Sequence, residues 1–310
     1  MKATERKLVL VTRRTRLQEL IVKHHTLAQA RFALEHLGAD LSDYLAEDQA
    51  YAASLDLLTE TLQAWGRHHI VERSYLPNYL FAPDDIVLAL GSDGLVANTM
   101  KYLDGQPLVG INPEPSRWDG LLLPFQAQEL AALLPELARD RRPTRAVTMA
   151  EAKLSDGQTL RAVNELFIGP RTHTSALYDI ALGERHESQS SSGLIVATGL
   201  GSTAWIKSVV TGSLGIARAL HGQGLAADYP ARAWDEPSLH FAVREPFPSK
   251  SSTTELAFGE VTAGQPLRLR SRMPEGGVIF SDGIEADFLR FGAGMEARIS
   301  VAAQRGCLVV

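Results

Sequence analysis

Asp93 lies in the turn Gly91-Ser92-Asp93-Gly94, directly after a continuous apolar run at residues 86–90. Such a run is typical of a strand that is covered on both faces. The two glycines allow a close bend, and amide groups at the start of the following helical stretch, 96–103, can face a phosphate. Open α/β sheets bind ligands at the carboxyl ends of their strands, so Asp93 is a candidate site residue. Asp-Gly also occurs at 104, 119, 156 and 282, where we expect ordinary turns.

Asn164 and Glu165 are adjacent polar residues that interrupt a predicted strand with apolar neighbours on both sides. Adjacent side chains of a strand point to opposite faces, so at least one of the two can be directed inward, where it needs a hydrogen bond. A hydroxyl-bearing ligand would satisfy a carboxylate in that position. The alternative is a solvent-facing glutamate beside an asparagine that is bonded to the backbone.

Residues 191–205 (SSGLIVATGLGSTAW) form the third candidate, an apolar strand followed by a turn rich in glycine, serine and threonine and then by a helical stretch. The turn offers hydroxyl and amide groups with little side-chain bulk. Gly199, Gly201 and Ala204 also match the GxGxxA dinucleotide fingerprint. That fingerprint needs an acidic residue after a further strand, but Asp228 lies in the predicted loop 222–237. A conventional Rossmann oxidoreductase site is therefore the weaker interpretation.

The elements that would position these residues change type near residue 145. Before it, short apolar runs at 8–11, 86–90 and 107–111 alternate with helical patterns at 26–37, 48–65 and 126–139. This alternation predicts parallel strands joined by helices. After it, strands are predicted at 147–154, 159–168, 176–182, 194–198, 239–243, 254–258, 267–270, 278–281 and 297–301. The clusters of Ser and Thr at 188–192 and 249–254 indicate loops.

The predicted fold is thus a Rossmann-like α/β domain over residues 1–145, carrying the GSDG turn, followed by a β-sandwich-like, β-rich domain over residues 146–310. In this prediction the C-terminal residues can also form part of the first domain. A chain of 310 residues is long enough for two such domains.

The composition narrows the functional class. The chain has 31 Lys and Arg against 36 Asp and Glu, a net charge of −5, so it lacks the positive field of a nucleic-acid-binding protein. Any anionic ligand must therefore be held by local groups. Neither a membrane span nor the apolar core of a signal peptide is visible, and Cys307 is the only cysteine, so we expect a cytoplasmic protein.

Other candidate sites are weaker. The pairs His24-His25 and His68-His69 have no carboxylate spacing that completes a metal site. Cys307 has no identifiable histidine partner and is expected to be a small buried residue. The absence of a GxxxxGK[ST] motif excludes a P-loop mechanism.

Taken together and in order, the three motifs resemble those of the NAD kinase family. The family pattern is a GGDG turn, an Asn-Glu pair within a strand, and an Asp-Gly pair followed by an apolar strand and TPTGSTAY. Here the counterparts are GSDG at 91–94, Asn164-Glu165 and the segment 191–205. In shape this third segment resembles the divergent branch of the family, which contains the mitochondrial NAD kinases, more than it resembles the common bacterial enzymes.

The resemblance implies transfer of the γ-phosphoryl group of ATP, with Mg²⁺, to the 2′-hydroxyl of the adenosine ribose in NAD or NADH. Asp93 would accept the hydroxyl proton, and Asn164 and Glu165 would contact the adenosine. The remaining nucleotide-binding positions implied by the family are Gly91, Ser92, Gly94, Ser192, Thr198, Ser202, Thr203 and Trp205. No metal ligand is assigned, and the resemblance implies a homo-oligomer, a dimer or a tetramer.

The sequence departs from the family pattern at several of these positions. Ser92 replaces a glycine of GGDG, Ser192 replaces the aspartate of the Asp-Gly pair, and Trp205 replaces tyrosine. The proline of TPTGS is also missing. Two other functions therefore stay open: a kinase of the same fold that acts on a lipid or sugar hydroxyl, and a dinucleotide-binding regulator without catalysis.

Overall fold

The computed structural model describes residues 6–222 and 228–310. The chain divides into two compact units, the first made of Met1–Arg145 with Cys307–Val310 and the second of Ala146–Gly306. The last strand begins in the second unit, and its final residues belong to the first.

The first unit is a parallel sheet with helices. Its strands are β1 (Leu8–Thr12), β2 (His68–Glu72), β3 (Ile86–Leu90) and β4 (Pro107–Ile111), and its helices are α1 (Arg16–His24), α2 (Leu27–His36), α3 (Ser42–Trp65), α4 (Asp93–Met100) and α5 (Leu130–Leu137). The strands pair in parallel in the order β2-β1-β3-β4, and Cys307 and Leu308 pair in parallel with β4. All residues of β1 and β3 are buried, as expected for strands covered on both faces.

The second unit is built from antiparallel strands and one helix. Its elements are β5 (Thr144–Leu154), β6 (Thr159–Ala162), β7 (Glu165–Pro170), β8 (Ala176–Leu182), β9 (Arg185–Ser191), β10 (Leu194–Ala197), α6 (Trp205–His221), β11 (Ser238–Val243), β12 (Phe258–Thr262), β13 (Leu267–Ser271), β14 (Gly277–Ser281), β15 (Ile284–Arg290) and β16 (Glu296–Val309). One sheet has the order β12-β11-β10-β7-β14-β15, and another group has the order β16-β13-β8-β9 with β5 and β6 attached through β16.

Apolar residues from both groups of strands share one core in the second unit. Tyr178 and Ile180 of β8 lie in the same buried cluster as Ile168 of β7 and Phe241 of β11. In β8 and β13 buried residues alternate with more exposed ones, the pattern of a strand with one face on a core. The predicted fold class, an α/β domain followed by a β-sandwich-like domain, is therefore confirmed.

Some local predictions were wrong. The cluster 188–192 is not a loop, because Ser188–Ser191 belong to β9. The strand predicted at 254–258 starts only at Phe258, where pairing with β11 begins. Neither α1 nor β2 was predicted, and of the predicted loop 222–237 residues 223–227 lie outside the described part of the chain.

Candidate functional site

The GSDG turn joins β3 to α4 in the first unit. Ser92 is the residue before the helix, in an extended conformation, and Asp93 is the first helical residue. Ser92 and Gly94 are exposed, Asp93 is half-buried and Gly91 is buried. One carboxylate oxygen of Asp93, Oδ1, accepts a hydrogen bond of 2.7 Å from the amide of Leu122. This bond fixes the carboxylate at the carboxyl end of a buried strand and leaves Oδ2 as its second acceptor.

Three arginines that were not predicted as site residues lie around this turn. Arg13 packs so closely that a Cβ atom on Gly91 would lie 3.2 Å from its Nε. Arg13, Arg14 and Arg73 line a pocket of about 320 Å³ together with Ser92. The arginines follow the carboxyl ends of β1 and β2, so their position after two strands was the signal that could have found them.

In the second unit Asn164 and Glu165 lie where β7 begins, and the carboxylate of Asp282 holds their backbone. Its Oδ1 accepts hydrogen bonds from the amides of Val163 (3.0 Å), Asn164 (2.7 Å) and Glu165 (3.3 Å). Asp282 occupies the turn between β14 and β15 with φ of 51°, a conformation that aspartate tolerates better than most residues. Asp282 lies in a turn, as predicted, and its side chain in addition organises the Asn-Glu segment, which was not predicted.

The side chain of Glu165 is mostly removed from water. Its Oε2 atom is buried and has no hydrogen-bond partner among the described residues. Burial, and secondarily the negative charge of Asp282, raise the pKa of Glu165 to about 7. The carboxyl group is therefore protonated in a large fraction of molecules near neutral pH, and it can donate as well as accept a hydrogen bond to a ligand.

The hydroxyl groups of Thr198 and Ser202 are used inside the protein. Thr198 donates to the carbonyl of Val163 at 2.6 Å, and Ser202 donates to the carbonyl of Gly199 at 2.6 Å while accepting from the amide of Arg232. Both side chains are buried, whereas Thr203 is exposed. Thr198 and Ser202 thus shape the turn after β10, and the structure does not present their hydroxyls to a ligand.

The glycines of this turn serve close packing. A Cβ atom on Gly199 would lie 1.8 Å from the carbonyl oxygen of Ala233, and one on Gly201 would lie 2.0 Å from that of Asn164. The preceding strand, β10, pairs antiparallel with both β7 and β11. A Rossmann dinucleotide fingerprint needs a parallel βαβ unit, so the GxGxxA interpretation is excluded.

Three of the predicted site residues meet in one pocket of the second unit. Glu165, Ser192 and Trp205 line a cavity of about 400 Å³ together with Phe167, Phe280, Asp282, Arg171 and Arg244. The ring of Trp205 stacks on Phe167, with 5.6 Å between centroids and 13° between planes. The pocket combines flat aromatic faces with cationic and anionic groups, which is suited to a ligand with a planar ring, hydroxyls and phosphates.

A larger cavity of about 820 Å³ in the same unit contains none of the predicted residues. It lies over exposed positions of β8, β9, β13 and β16, with charged side chains of both signs such as Arg270, Arg298 and Glu187. We assign the candidate site to the smaller pocket, because polar groups and aromatic faces converge there and a buried carboxyl group with a raised pKa lines it.

Neither a metal cluster nor a membrane helix is found in the part of the chain that the structure describes. No three His, Cys, Asp or Glu side chains are grouped so that they could hold a metal ion. None of the described helices has both the length and the apolar character needed to cross a membrane.

The fold of the chain has counterparts among proteins of known structure. No protein-family model and no curated protein matches the sequence. Among solved structures the chain is similar to yeast NADH kinase, in a crystal structure complexed with NADH, with a TM-score of 0.57 and 15% sequence identity. The similarity covers 98% of this chain and 83% of that one, so the protein has the fold of this NADH kinase.

Proposed function

We propose that the protein is an ATP-dependent kinase that phosphorylates the 2′-hydroxyl of the adenosine ribose in NAD or NADH. The observation that carries the proposal is the pocket where Glu165, Ser192 and Trp205 converge, in a chain with the fold of yeast NADH kinase. The order of the three sequence motifs supports the same activity. NAD(H) is the proposed acceptor and ATP with Mg²⁺ the proposed donor.

The proposed chemistry assigns Asp93 as the general base. The proton of the 2′-hydroxyl passes to its carboxylate, the ribose oxygen forms a bond to the γ-phosphorus, and the bond between that phosphorus and the β–γ bridging oxygen breaks to release ADP. A positioned base of this kind is worth roughly 10²- to 10⁴-fold in rate. The hydrogen bond from the Leu122 amide to Oδ1 orients the carboxylate and leaves Oδ2 to receive the proton.

Mg²⁺ would neutralise charge on the transferred phosphoryl group. The described residues contain no cluster of three ligating side chains, which fits an ion carried largely by the phosphates of ATP. We therefore assign no dedicated protein ligands to it. Ser92 and Gly94 of the GSDG turn are exposed residues at the start of α4, and their amides are the groups proposed to face the donor phosphates.

The test is to incubate the purified chain with ATP, Mg²⁺ and NAD or NADH and to measure the 2′-phosphorylated dinucleotide. Asp93→Asn should lower kcat by roughly 10²- to 10⁴-fold, since the variant keeps the shape of the side chain but cannot take the proton. Its affinity for the dinucleotide, measured by calorimetry, should stay close to that of the wild type. The control is Asp156→Asn in the exposed hairpin turn between β5 and β6.

Unchanged turnover in Asp93→Asn would refute the assignment of the base. Phosphorylation of a lipid or sugar hydroxyl, and not of NAD(H), would show that the proposed acceptor is wrong. Binding of the dinucleotide without phosphoryl transfer to any acceptor would indicate a regulator. We also propose a homo-oligomer, on the resemblance to the family alone. Light scattering on the purified chain tests that proposal.

A further inference from the structure

The larger cavity of the second unit, about 820 Å³ in volume, lies on the outward face of the strands β9, β8, β13 and β16. Leu269 and Ile299, on the inward face of β13 and β16, belong to the core of the unit. The residues that alternate with them point outward. Three of these outward residues, Arg268, Arg270 and Arg298, are exposed and line the cavity. They are called the arginine cluster below.

The strand register places two members of the arginine cluster directly opposite each other. Arg268 pairs with Arg298 across the antiparallel strands β13 and β16. Residues in such a position have Cβ atoms about 4.5–5.5 Å apart, and like charges there destabilise a sheet. Arg270 lies two residues along β13 on the same face, about 7 Å from Arg268. The fold therefore holds three positive charges close together at a cost in stability.

The charges of the arginine cluster are not neutralised within the described part of the chain. In residues 6–222 and 228–310, no carboxylate lies within ion-pair distance of Arg268, Arg270 or Arg298. The amine of Lys153, which also lines the cavity, has no ion pair in these ranges either. The hydrogen-bonding edges of these groups are therefore free to bind a ligand.

The carboxylates that line the cavity are Asp179, Glu187 and Glu296, and two of them are engaged by neighbouring groups. Oε1 of Glu187 accepts a hydrogen bond from the amide of Leu256 at 2.8 Å, and Oδ1 of Asp179 accepts one from the hydroxyl of Ser188 at 2.6 Å. Glu296 is exposed. Among the described residues that line the cavity, four cationic side chains thus face one carboxylate that is not engaged in this way.

The chemistry of the lining points to a compact ligand with several negative charges. Guanidinium groups bind phosphate and carboxylate oxygens through bidentate, charge-assisted hydrogen bonds. Ala181, the partner of Arg268 on β8, has a small side chain and leaves room beside the guanidinium group. No Phe, Tyr or Trp lines the cavity among the described residues, so a nucleobase would have no such ring to stack on.

We propose that Arg268, Arg270 and Arg298 form a binding site for a small polyanion, a ligand that carries two or more phosphate or carboxylate groups on a compact skeleton. The site shares no residue with the pocket that contains Glu165 and Trp205, and it does not depend on the proposed kinase function. A bound polyanion would neutralise the opposed charges of Arg268 and Arg298, so it should stabilise the folded state.

The test is calorimetric titration of the full chain with pyrophosphate, citrate and acetate, in low-salt buffer without Mg²⁺. The wild type should bind pyrophosphate or citrate at least about tenfold more tightly than acetate, which offers a single charged group. The tighter of the two polyanions identifies the preferred anionic group. Arg268→Gln should weaken polyanion binding on the order of 10- to 100-fold, the loss expected for a charge-assisted hydrogen bond.

Two further variants are controls for the position of the site. Arg305→Gln changes an exposed arginine of the same strand, β16, that does not line the cavity, so it should bind polyanions as the wild type does. Arg244→Gln removes an arginine from the other pocket and should also leave polyanion binding unchanged. Loss of binding in Arg244→Gln, with binding retained in Arg268→Gln, would place the polyanion in that other pocket and overturn the inference.

Arg298→Glu separates loss of the site from loss of the fold. The new carboxylate would face Arg268 and replace a like-charge pair by an ion pair, so without ligand the variant should unfold at a higher temperature than the wild type. It should nevertheless lose polyanion binding. Pyrophosphate or citrate should raise the unfolding temperature of the wild type and not that of Arg298→Glu. A variant that lost binding through misfolding would be less stable instead.

The inference would be overturned if the wild type bound neither polyanion or bound acetate equally well. Unchanged polyanion affinity in both Arg268→Gln and Arg298→Glu would overturn it too. Because these measurements record binding alone, they separate the two proposals. Polyanion binding without phosphoryl transfer would contradict the kinase function and leave the site standing, and phosphorylation of NAD(H) without polyanion binding would do the reverse.

Discussion

Glu165 is half-buried, with its Oε2 atom fully removed from water, and its backbone amide is already hydrogen-bonded. Its amide donates a hydrogen bond to the carboxylate of Asp282, and its buried Oε2 atom has no hydrogen-bond partner among the described residues. Leaving such an oxygen charged costs free energy, which is why its pKa rises to about 7. A ligand hydroxyl or ring nitrogen that reaches Oε2 would recover part of this cost, so the unsatisfied oxygen favours binding over a purely structural role.

The raised pKa predicts a pH-dependent loss of stability. The folded state holds the Glu165 proton up to about pH 7, whereas the unfolded chain releases it near 4.5, so stability falls as the pH rises between these values. The loss is of order 3 kcal/mol at most. Glu165→Gln has no proton to lose, so its stability relative to the wild type should increase between pH 4.5 and pH 8. Urea unfolding of both proteins at the two pH values measures this, with the exposed Glu184→Gln as control. A difference that does not depend on pH would contradict the burial of the charge.

The residues of the pocket differ in how visible they are in the sequence. Glu165, Ser192 and Trp205 belong to short contiguous sequence motifs, and these motifs predicted them as site residues. Asp282 does not, because five Asp-Gly pairs occur in the chain and only the pairing of β14 with β7 brings this one to the Asn-Glu segment. Arg171 also requires the tertiary structure, since nothing in its neighbourhood in the chain indicates that it stacks on Phe288.

At the scale of elements, continuous apolar runs were the most reliable signal. Both Ile86–Leu90 and Pro107–Ile111 are strands with the predicted bounds. The failure at β9 has an identifiable cause. Its polar residues Gln189 and Ser191 are buried because both bond to the hydroxyl of Tyr178 on β8, each at 2.9 Å. Composition indicates a loop there, since the partner that satisfies these groups lies on another strand.

The turn after β10 gives a prediction at the same scale. Gly201→Ala would place a Cβ atom 2.0 Å from the backbone oxygen of Asn164, which also accepts the amide of Thr198. Backbone cannot move aside as a flexible side chain does, so we expect a loss of stability of about 1–3 kcal/mol. Gly212→Ala is the matched control, because among the described residues no atom outside its own turns of α6 lies within 4 Å of its Cβ position. It should raise stability by roughly 0.5–1 kcal/mol.

Urea unfolding of the two glycine variants provides the measurement. On the proposed function, Gly201→Ala should also weaken the binding of NADH, because the displaced carbonyl belongs to the Asn-Glu segment. If Gly201→Ala proved as stable as Gly212→Ala, the close approach of the turn to Asn164 would be wrong.

For the whole molecule, the net charge of −5 means that binding of anions depends on local groups. In the first unit Arg14 and Arg73 lie beside the GSDG turn, whereas Arg13 is paired with the buried carboxylate of Glu47 at 2.9 Å. In the second unit Arg171 and Arg244 line the candidate site. Composition indicated that local cations were needed but not where they lie. Their positions follow from strand order in one unit and from aromatic stacking in the other.

The return of the chain end to the first unit is a further property of the whole molecule. Leu308 and Val309 are almost fully buried, Val309 lies in the core cluster of that unit, and Leu308 pairs with Leu108 of β4. Removing Cys307–Val310 exposes the edge of β4 and deletes two core side chains worth about 1.5–3 kcal/mol each, so the first unit should lose roughly 3–6 kcal/mol of stability. Removing Val310 alone, which is 40% exposed, should cost no more than about 1 kcal/mol. Urea unfolding and limited proteolysis compare the two truncations. Equal stability of both would mean that the last strand does not support the sheet of the first unit.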